Sequence, residues 1–434
     1  MKKTRLFATI ALALLVCAAS ITPALASGLN EEGILVAPDE NNPVQAAVTK
    51  NLRMPIGTNV PDAVFNFIAT PLSLDGDDGL AARTSMPPLN NLTITYAPGN
   101  TGETDPVTNI TSIQRETGNI FAGVDFPHAG LYVYEITEAG IGSNPTIEAN
   151  KDHEWLSYSD ARYRLEVYVR DNAAGTARYV FALATRVERQ DISGLPGGAK
   201  IDPTPGGDDD KYFLSQMVFT NDYVKTNGAV DPEDPDPVTE STLIVSKTVA
   251  GELASRIQHF NYIFTLNIPI LVETPHPYYR AYVVENNVVI DPAENAAAAL
   301  IGTDAGGKYI KISPTGETEF SLRHGQRLVF VDTPVGTGYR ITEAAAINYI
   351  PSVVVTTNGT PAPTNTGLVN TALLTGPQLV GEAANRADFT NTRELVLPTG
   401  LSLNDLPFVT LIALGLGALV TVTVVKVRKR KQCD

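Results

Sequence analysis

The chain of 434 residues is 43% hydrophobic and acidic, with 47 Asp and Glu against 32 Lys and Arg and a net charge of −15. Such a surface repels nucleic acid and anionic lipid, so neither is expected as a partner, and it selects no ligand by itself. The two cysteines, Cys17 and Cys433, stand near the two ends, so the body between them has no means to form a disulfide, a thiolate nucleophile or a Cys–Gln thioester.

Lys2, Lys3 and Arg5 precede an apolar stretch, 6–19, and Ala24-Leu25-Ala26 supplies small residues for cleavage. Residues 1–26 therefore read as a secretory signal peptide, and 27–43 as a flexible leader. Beyond them come short alternating runs of β-branched and aromatic residues, such as Leu92-Thr93-Ile94-Thr95-Tyr96, 163–169 and 179–183. Broken by Gly and Pro, these runs predict an all-β protein of sandwich domains. Residues 194–210, rich in Gly, Pro and Asp, predict a long loop inside the first domain. Asp231-Pro232-Glu233-Asp234-Pro235-Asp236-Pro237 lies in an acidic Pro-rich linker, 226–240, which such a composition makes extended and stiff. It divides the body into domains at 44–225 and 241–395. The one helical stretch of the body, 293–301, is expected as a short helix in a loop.

The final segment, 396–434, holds Leu397-Pro398-Thr399-Gly400, an apolar run at 406–425, and a basic tail with Lys426, Arg428, Lys429, Arg430 and Lys431. A helix crosses a bilayer with about 20 apolar residues, and the basic tail keeps its end cytoplasmic. A Pro-Thr-Gly before such a helix resembles the sorting signal cut by sortases of Gram-positive bacteria. That resemblance implies cleavage between Thr399 and Gly400, leaving Thr399 as an acyl group for transfer to an amine.

The two halves of the body repeat three elements in one order. Each opens with a lysine strand, Val48-Thr49-Lys50-Asn51-Leu52 and Leu243-Ile244-Val245-Ser246-Lys247-Thr248-Val249. Each has a later Tyr-x-Ile-Thr-Glu, ending at Glu138 and Glu343, and each closes on Phe-Thr-Asn, ending at Asn221 and Asn391. Strand side chains alternate between faces, so residue parity assigns a face. Lys50 shares its face with Val44, Ala46, Val48 and Leu52, and Lys247 with Leu243, Val245 and Val249. Glu138 sides with Tyr132, Tyr134 and Ile136, and Glu343 with Tyr339 and Ile341. Asn221 sides with Met217, Phe219 and Tyr223, and Asn391 with Phe389.

A strand lysine is ordinarily solvated, and Asn at a strand end ordinarily makes a turn. Six polar residues on apolar faces, in the same order twice, point elsewhere. A buried amine or carboxyl shifts its pKa or finds a partner. A desolvated amine is nucleophilic, and a buried carboxyl that keeps its proton can polarise an Asn carbonyl. The expected product is an amide between Lys and Asn side chains, with loss of ammonia.

On these motifs the chain resembles the major backbone pilins of Gram-positive cocci, of the streptococcal T-antigen (FctA) type. The resemblance implies two tandem immunoglobulin-like (Cna-type) domains, each sealed by a self-generated Lys–Asn isopeptide bond with a catalytic Glu. It pairs Lys50 with Asn221 through Glu138, and Lys247 with Asn391 through Glu343. It implies a covalent homopolymer of pilin subunits, built by a pilin-specific sortase and attached to peptidoglycan. The family's linking lysine precedes the closing strand of the first domain, where Lys211 and Lys200 stand. Lys211 is ten residues before Asn221. The protein is then no enzyme beyond one turnover of self-crosslinking. Tension on such a sandwich is expected to peel its first and last strands, and a bond closing so long a loop adds about 5 kcal/mol by analogy with disulfides. A wall-anchored adhesin that stays monomeric would share the tail and the sealed domains but lack the linking lysine.

Other chemistry is sparse. His128, His153, His259, His276 and His324 show no ligand spacing, and Asp75-Gly76-Asp77-Asp78-Gly79 lacks the closing Glu of an EF-hand loop. No metal or cofactor is expected. Trp155 and Tyr158 read as packing residues before they read as a binding surface.

Overall fold

The computed structural model describes residues 38–150, 153–190, 197–206, 216–227, 231–233, 242–272, 275–393 and 406–430. The signal peptide, most of the leader, Lys211, most of the linker and Leu397-Pro398-Thr399-Gly400 lie outside the described residues.

The alternating runs become strands on either side of two apolar cores. In the first module the opening strand Val48–Pro55 lies between the closing strand Met217–Asn227, to which it is parallel, and the antiparallel strand Ile110–Glu116. The facing sheet runs in the order Lys200–Ile201, Arg178–Arg189, Arg162–Asp171, Gly130–Glu138, Ala63–Leu74, Thr93–Tyr96. Phe65, Tyr132, Tyr134, Tyr163 and Phe219 are fully buried between the sheets. The second module repeats the plan. Its opening strand Leu243–Ala250 lies between the parallel closing strand Asn385–Thr392 and the antiparallel strand Gln326–Val331. The facing sheet carries Glu317–Leu322, Phe260–Asn267 and Gly338–Glu343. The chain is thus all-β, two tandem immunoglobulin-like sandwiches.

First and last strands are parallel neighbours in both modules. Their free ends therefore leave from opposite ends of the pair. A pull on those ends slides one strand along the other, loading the ladder in shear. The peeling expected from the sequence requires antiparallel terminal strands, and the register excludes it.

Three other expectations change. The stretch 293–301 forms no α-helix; it holds two 3₁₀ turns, Pro292–Glu294 and Ala298–Leu300, the first capped by the Asp291 side chain. Its alanines offer no apolar stripe to bury, and a helix so short gains too little without one. Short helices form instead at Leu80–Ser85 and Pro145–Ala149. Within the predicted loop 194–210, Lys200–Ile201 pairs as an edge strand with Arg186 and Thr185, and the Pro203 carbonyl accepts the Ala47 N–H at 2.8 Å. Thr49 and Asn51, on the outer face of the opening strand, are as buried as Lys50. Finally, Thr226 and Asn227 are no linker. They complete the closing strand of the first module and pair with Thr333–Pro334 of the second.

That strand crossing anchors a polar junction. Glu382 of the second module accepts the Lys225 ammonium at 2.9 Å and the Asn59 side chain at 3.1 Å, and Asn227 donates to the Gly381 carbonyl. Gly336 has φ +81, and a Cβ there would meet Pro55 of the first module at 2.5 Å. At the chain's end a helix, Leu406–Arg430, contains 20 residues apolar enough to cross a bilayer, none buried against the modules. It starts with the predicted run and continues into the basic tail. Glu382→Ala should loosen the junction while both modules stay folded. Small-angle X-ray scattering reads this as a broader interdomain distance distribution, and an unchanged curve would count against the junction's role.

Candidate functional site

The parallel register brings the repeated polar residues together. Lys50 faces Phe219 across the ladder, and Asn221 faces Leu52, two residues further on. Lys247 faces Phe389, and Asn391 faces Val249, the same offset. Period-two alternation then turns both side chains of each pair into the core. From the opposite sheet Glu138 pairs with Phe67, and Glu343 with Tyr262. The structure thus gathers Lys50, Glu138 and Asn221 in one buried cluster and Lys247, Glu343 and Asn391 in another.

In the first cluster the Lys50 ammonium lies 3.0 Å from both Glu138 oxygens, with neither side chain exposed. Asn221 Nδ2 donates to Glu138 Oε1 at 2.8 Å, and the Ser159 backbone N–H donates to Oε2 at 3.0 Å. The Lys50 nitrogen sits 4.4 Å from the centre of the Phe65 ring. In the second cluster Lys247 Nζ lies 2.5 Å from Glu343 Oε1, which also accepts the Tyr262 hydroxyl at 3.3 Å. Glu343 Oε2 is buried without a hydrogen-bond partner. Lys247 sits 4.2 Å from the Phe260 ring centre. The side-chain carbonyl oxygens of Asn221 and Asn391 are both buried and unpartnered, an arrangement that leaves a strong acceptor unsatisfied in each core.

Burial governs the protonation of these groups. It pushes the Glu138 carboxyl above the ordinary range, with the Lys50 charge and the surrounding donors pulling part of the way back. Glu343 is raised in the same way against Lys247. Lys247 is pushed down to about 8 by burial, with Glu343 opposing. An amine with that value is neutral about 300 times more often at neutral pH than an ordinary lysine. Each module therefore holds a buried amine, a carboxyl inclined to keep its proton and a primary amide, and in the second module the amine is inclined to lose its proton.

Of the other predicted residues, Lys200 is exposed on its edge strand, and Lys211 and the Leu397–Gly400 motif fall outside the described residues. Trp155 is partly exposed in a short strand paired with Val224, and Tyr158 donates to Glu148. Asp75 and Asp77 accept backbone N–H groups of Leu131 and Gly79 at 2.8 Å, the ordinary work of turn aspartates. Phe65 and Phe260, the rings beside the two amines, escape the sequence reading. A signal for them exists: Phe65-Asn66-Phe67 and Phe260-Asn261-Tyr262 are a fourth repeated element. In both, the central Asn carbonyl accepts the N–H of the residue after the Glu, at 2.8 Å.

Both sandwiches thus hold a Lys, a carboxyl and an Asn together in one core. Residues 47–224 match the family model of the Spy0128-like isopeptide containing domain, of the FctA type. Residues 241–393 match a domain family of unknown function. The chain is 24% identical over 419 residues to a protein named pilin from Streptococcus pyogenes serotype M1, covering 93% of this chain and 95% of that one. Among solved structures it is similar to the major pilin of Streptococcus pyogenes, at 19% identity over 82% of this chain and all of that one, TM-score 0.30. It is also similar to the T3.2 major pilin of that species, at 16% identity over 80% of this chain and 98% of that one, TM-score 0.28.

A variant that cannot condense, Asn391→Ala, keeps the Lys247 amine for titration by NMR. A midpoint near 8 is expected, and one near 10.5 would refute the desolvation argument. The sign for stability follows. Between about 8 and 10.5 the unfolded chain binds the proton that folded Lys247 has lost, so the variant gains stability as pH rises through that window.

Proposed function

We propose that this protein is a pilus subunit of the bacterial surface whose two modules are each sealed by a Lys–Asn isopeptide bond and whose copies are joined covalently through Thr399. The observation that carries the reading is the repeated core cluster, with one register offset and one carboxyl in both modules. The pilin relatives support the pilus assignment.

In the proposed condensation the neutral Lys Nζ attacks the Asn side-chain carbon Cγ. A side-chain amide can present either end to a neighbour. Turned about, the Asn carbonyl oxygen meets the protonated Glu, which donates to it and makes Cγ more electrophilic. The Glu then takes a proton from Nζ and returns one to Nδ2. The Nζ–Cγ bond forms, the Cγ–Nδ2 bond breaks, ammonia leaves, and the Glu ends as it began. The product is neutral, which removes the cost of two buried charges. Strands held in one register supply proximity, which makes such intramolecular steps fast. The bond joins the two strands that a pull would shear, so tension passes through covalent atoms.

The polymerisation reading rests on polarity. The first module's opening and closing strands run from the free Val44 end toward the junction, and the second module's opening and closing strands run from the junction toward Arg393. The Thr399 signal follows the closing strand of the second module in sequence, while Lys200 stands on an edge strand of the first module. Joined end to end, such subunits extend a filament. The partners are a pilin sortase, further copies of the chain and, at the base, peptidoglycan. Catalysis by the chain itself is confined to its own internal cross-links.

The two Lys–Asn bonds should together take two ammonias from the intact mass of the secreted body, and Glu138→Ala or Glu343→Ala should each restore one. The full sequence mass would refute the isopeptide reading. Wall extracts should show a ladder of high-mass species that Thr399→Ala abolishes and that Lys211→Ala or Lys200→Ala removes. A single anchored species in the unaltered strain would refute polymerisation and favour the monomeric adhesin.

A further inference from the structure

The outer face of the first opening strand carries a second buried polar cluster. Parity turns Thr49 away from the core, yet it is 0% exposed, and Gln216 beside it is 3% exposed. The Thr49 hydroxyl donates to Gln216 Oε1, and Gln216 Nε2 donates to Glu116 Oε1. The other Glu116 oxygen accepts the Gly206 N–H at 2.9 Å. Thr49 belongs to the opening strand, Gln216 immediately precedes the closing strand, and Glu116 ends the antiparallel neighbour. A hydroxyl nucleophile, a side-chain carboxamide and a carboxyl are thus held in contact, two of the three out of water.

We propose that Thr49 and Gln216 form a further cross-linking site, in which Thr49 Oγ1 and Gln216 Cδ join as an ester with release of ammonia. The Oγ1–Cδ bond forms as Oγ1 attacks the amide carbon. The hydroxyl proton passes to Glu116, which already faces Nε2 and delivers a proton to that nitrogen. The Cδ–Nε2 bond breaks, ammonia leaves, and the carboxylate is regenerated. No outside reagent enters. Fixed strand neighbours supply the proximity, and the burial of both ends keeps water from the ester.

The second module provides the contrast. Ser246 holds the position before Lys247 that Thr49 holds before Lys50, and its hydroxyl donates to Asp388 Oδ1 at 2.6 Å. A carboxylate has no amine to release, so the ester belongs to the first module alone. There it ties the root of the closing strand to the opening strand, at the point where the segment containing Lys211 joins it.

The test uses the full secreted body and is independent of the Lys–Asn reading. In the Glu138→Ala, Glu343→Ala background, which silences both core sites, the intact mass should still fall one ammonia below the sequence mass. Thr49→Val, which keeps the shape and β-branching, should restore it, and Thr49→Ser should not. Alkaline hydroxylamine on the denatured chain should cleave the link and leave a hydroxamate on residue 216. In an otherwise unaltered chain, Thr49→Val should also raise the mass by one ammonia relative to its own sequence. A Thr49→Val change that leaves the ammonia count unaltered in both backgrounds overturns the proposal.

Discussion

A lysine facing a carboxyl inside an aromatic core is the constraint around which each module is arranged. Neither group can reach water, and a buried ion pair recovers through mutual attraction only part of what desolvation costs. The strand order follows from the need to bring a third group beside them. Opening and closing strands must be direct neighbours, and in a parallel ladder residues two apart on adjacent strands lean toward each other on one face. The offset of Lys50 to Asn221 and of Lys247 to Asn391 is that diagonal. The Glu comes from the facing sheet because both lateral neighbours of the opening strand are occupied.

The two clusters share a plan and differ in proton balance. Glu138 has both oxygens engaged, one of them by the Ser159 backbone N–H, a donor that favours the ionised form. Glu343 meets a phenol in place of that N–H and keeps one oxygen bare. A bare oxygen in an apolar pocket is where a carboxyl most readily keeps its proton.

Much of this was legible in the sequence because strands have a period of two and the chain writes the pattern twice. Parity alone turned Lys50, Lys247, Glu138, Glu343, Asn221 and Asn391 inward, and the structure buries all six. The register between first and last strands was not legible, because pairing partners lie some 170 or 140 residues apart in sequence and only the folded sheets fix them. Hence shear could not be told from peeling. The burial of Thr49 was hidden for the same reason: its partner Gln216 lies 167 residues away in sequence. Thr226 and Asn227 read as linker because they adjoin a Pro-Asp tract, whereas their ladder partners lie in the other module. The rings beside the amines were readable in principle, since Phe-Asn-aromatic recurs, but aromatic residues in a strand usually signify only core.

The crossing of one strand from the first module into the second has a consequence for elasticity. A stiff tether of Pro and Asp with nothing else joining the two bodies would let them swing into line under small forces before either body felt a pull. Here Asn227 and the Glu382 contacts leave the two bodies no slack at their meeting point. Any give in a string of such molecules must come from the joints between copies, and the length of each copy stays constant until its hydrogen-bonded seam fails.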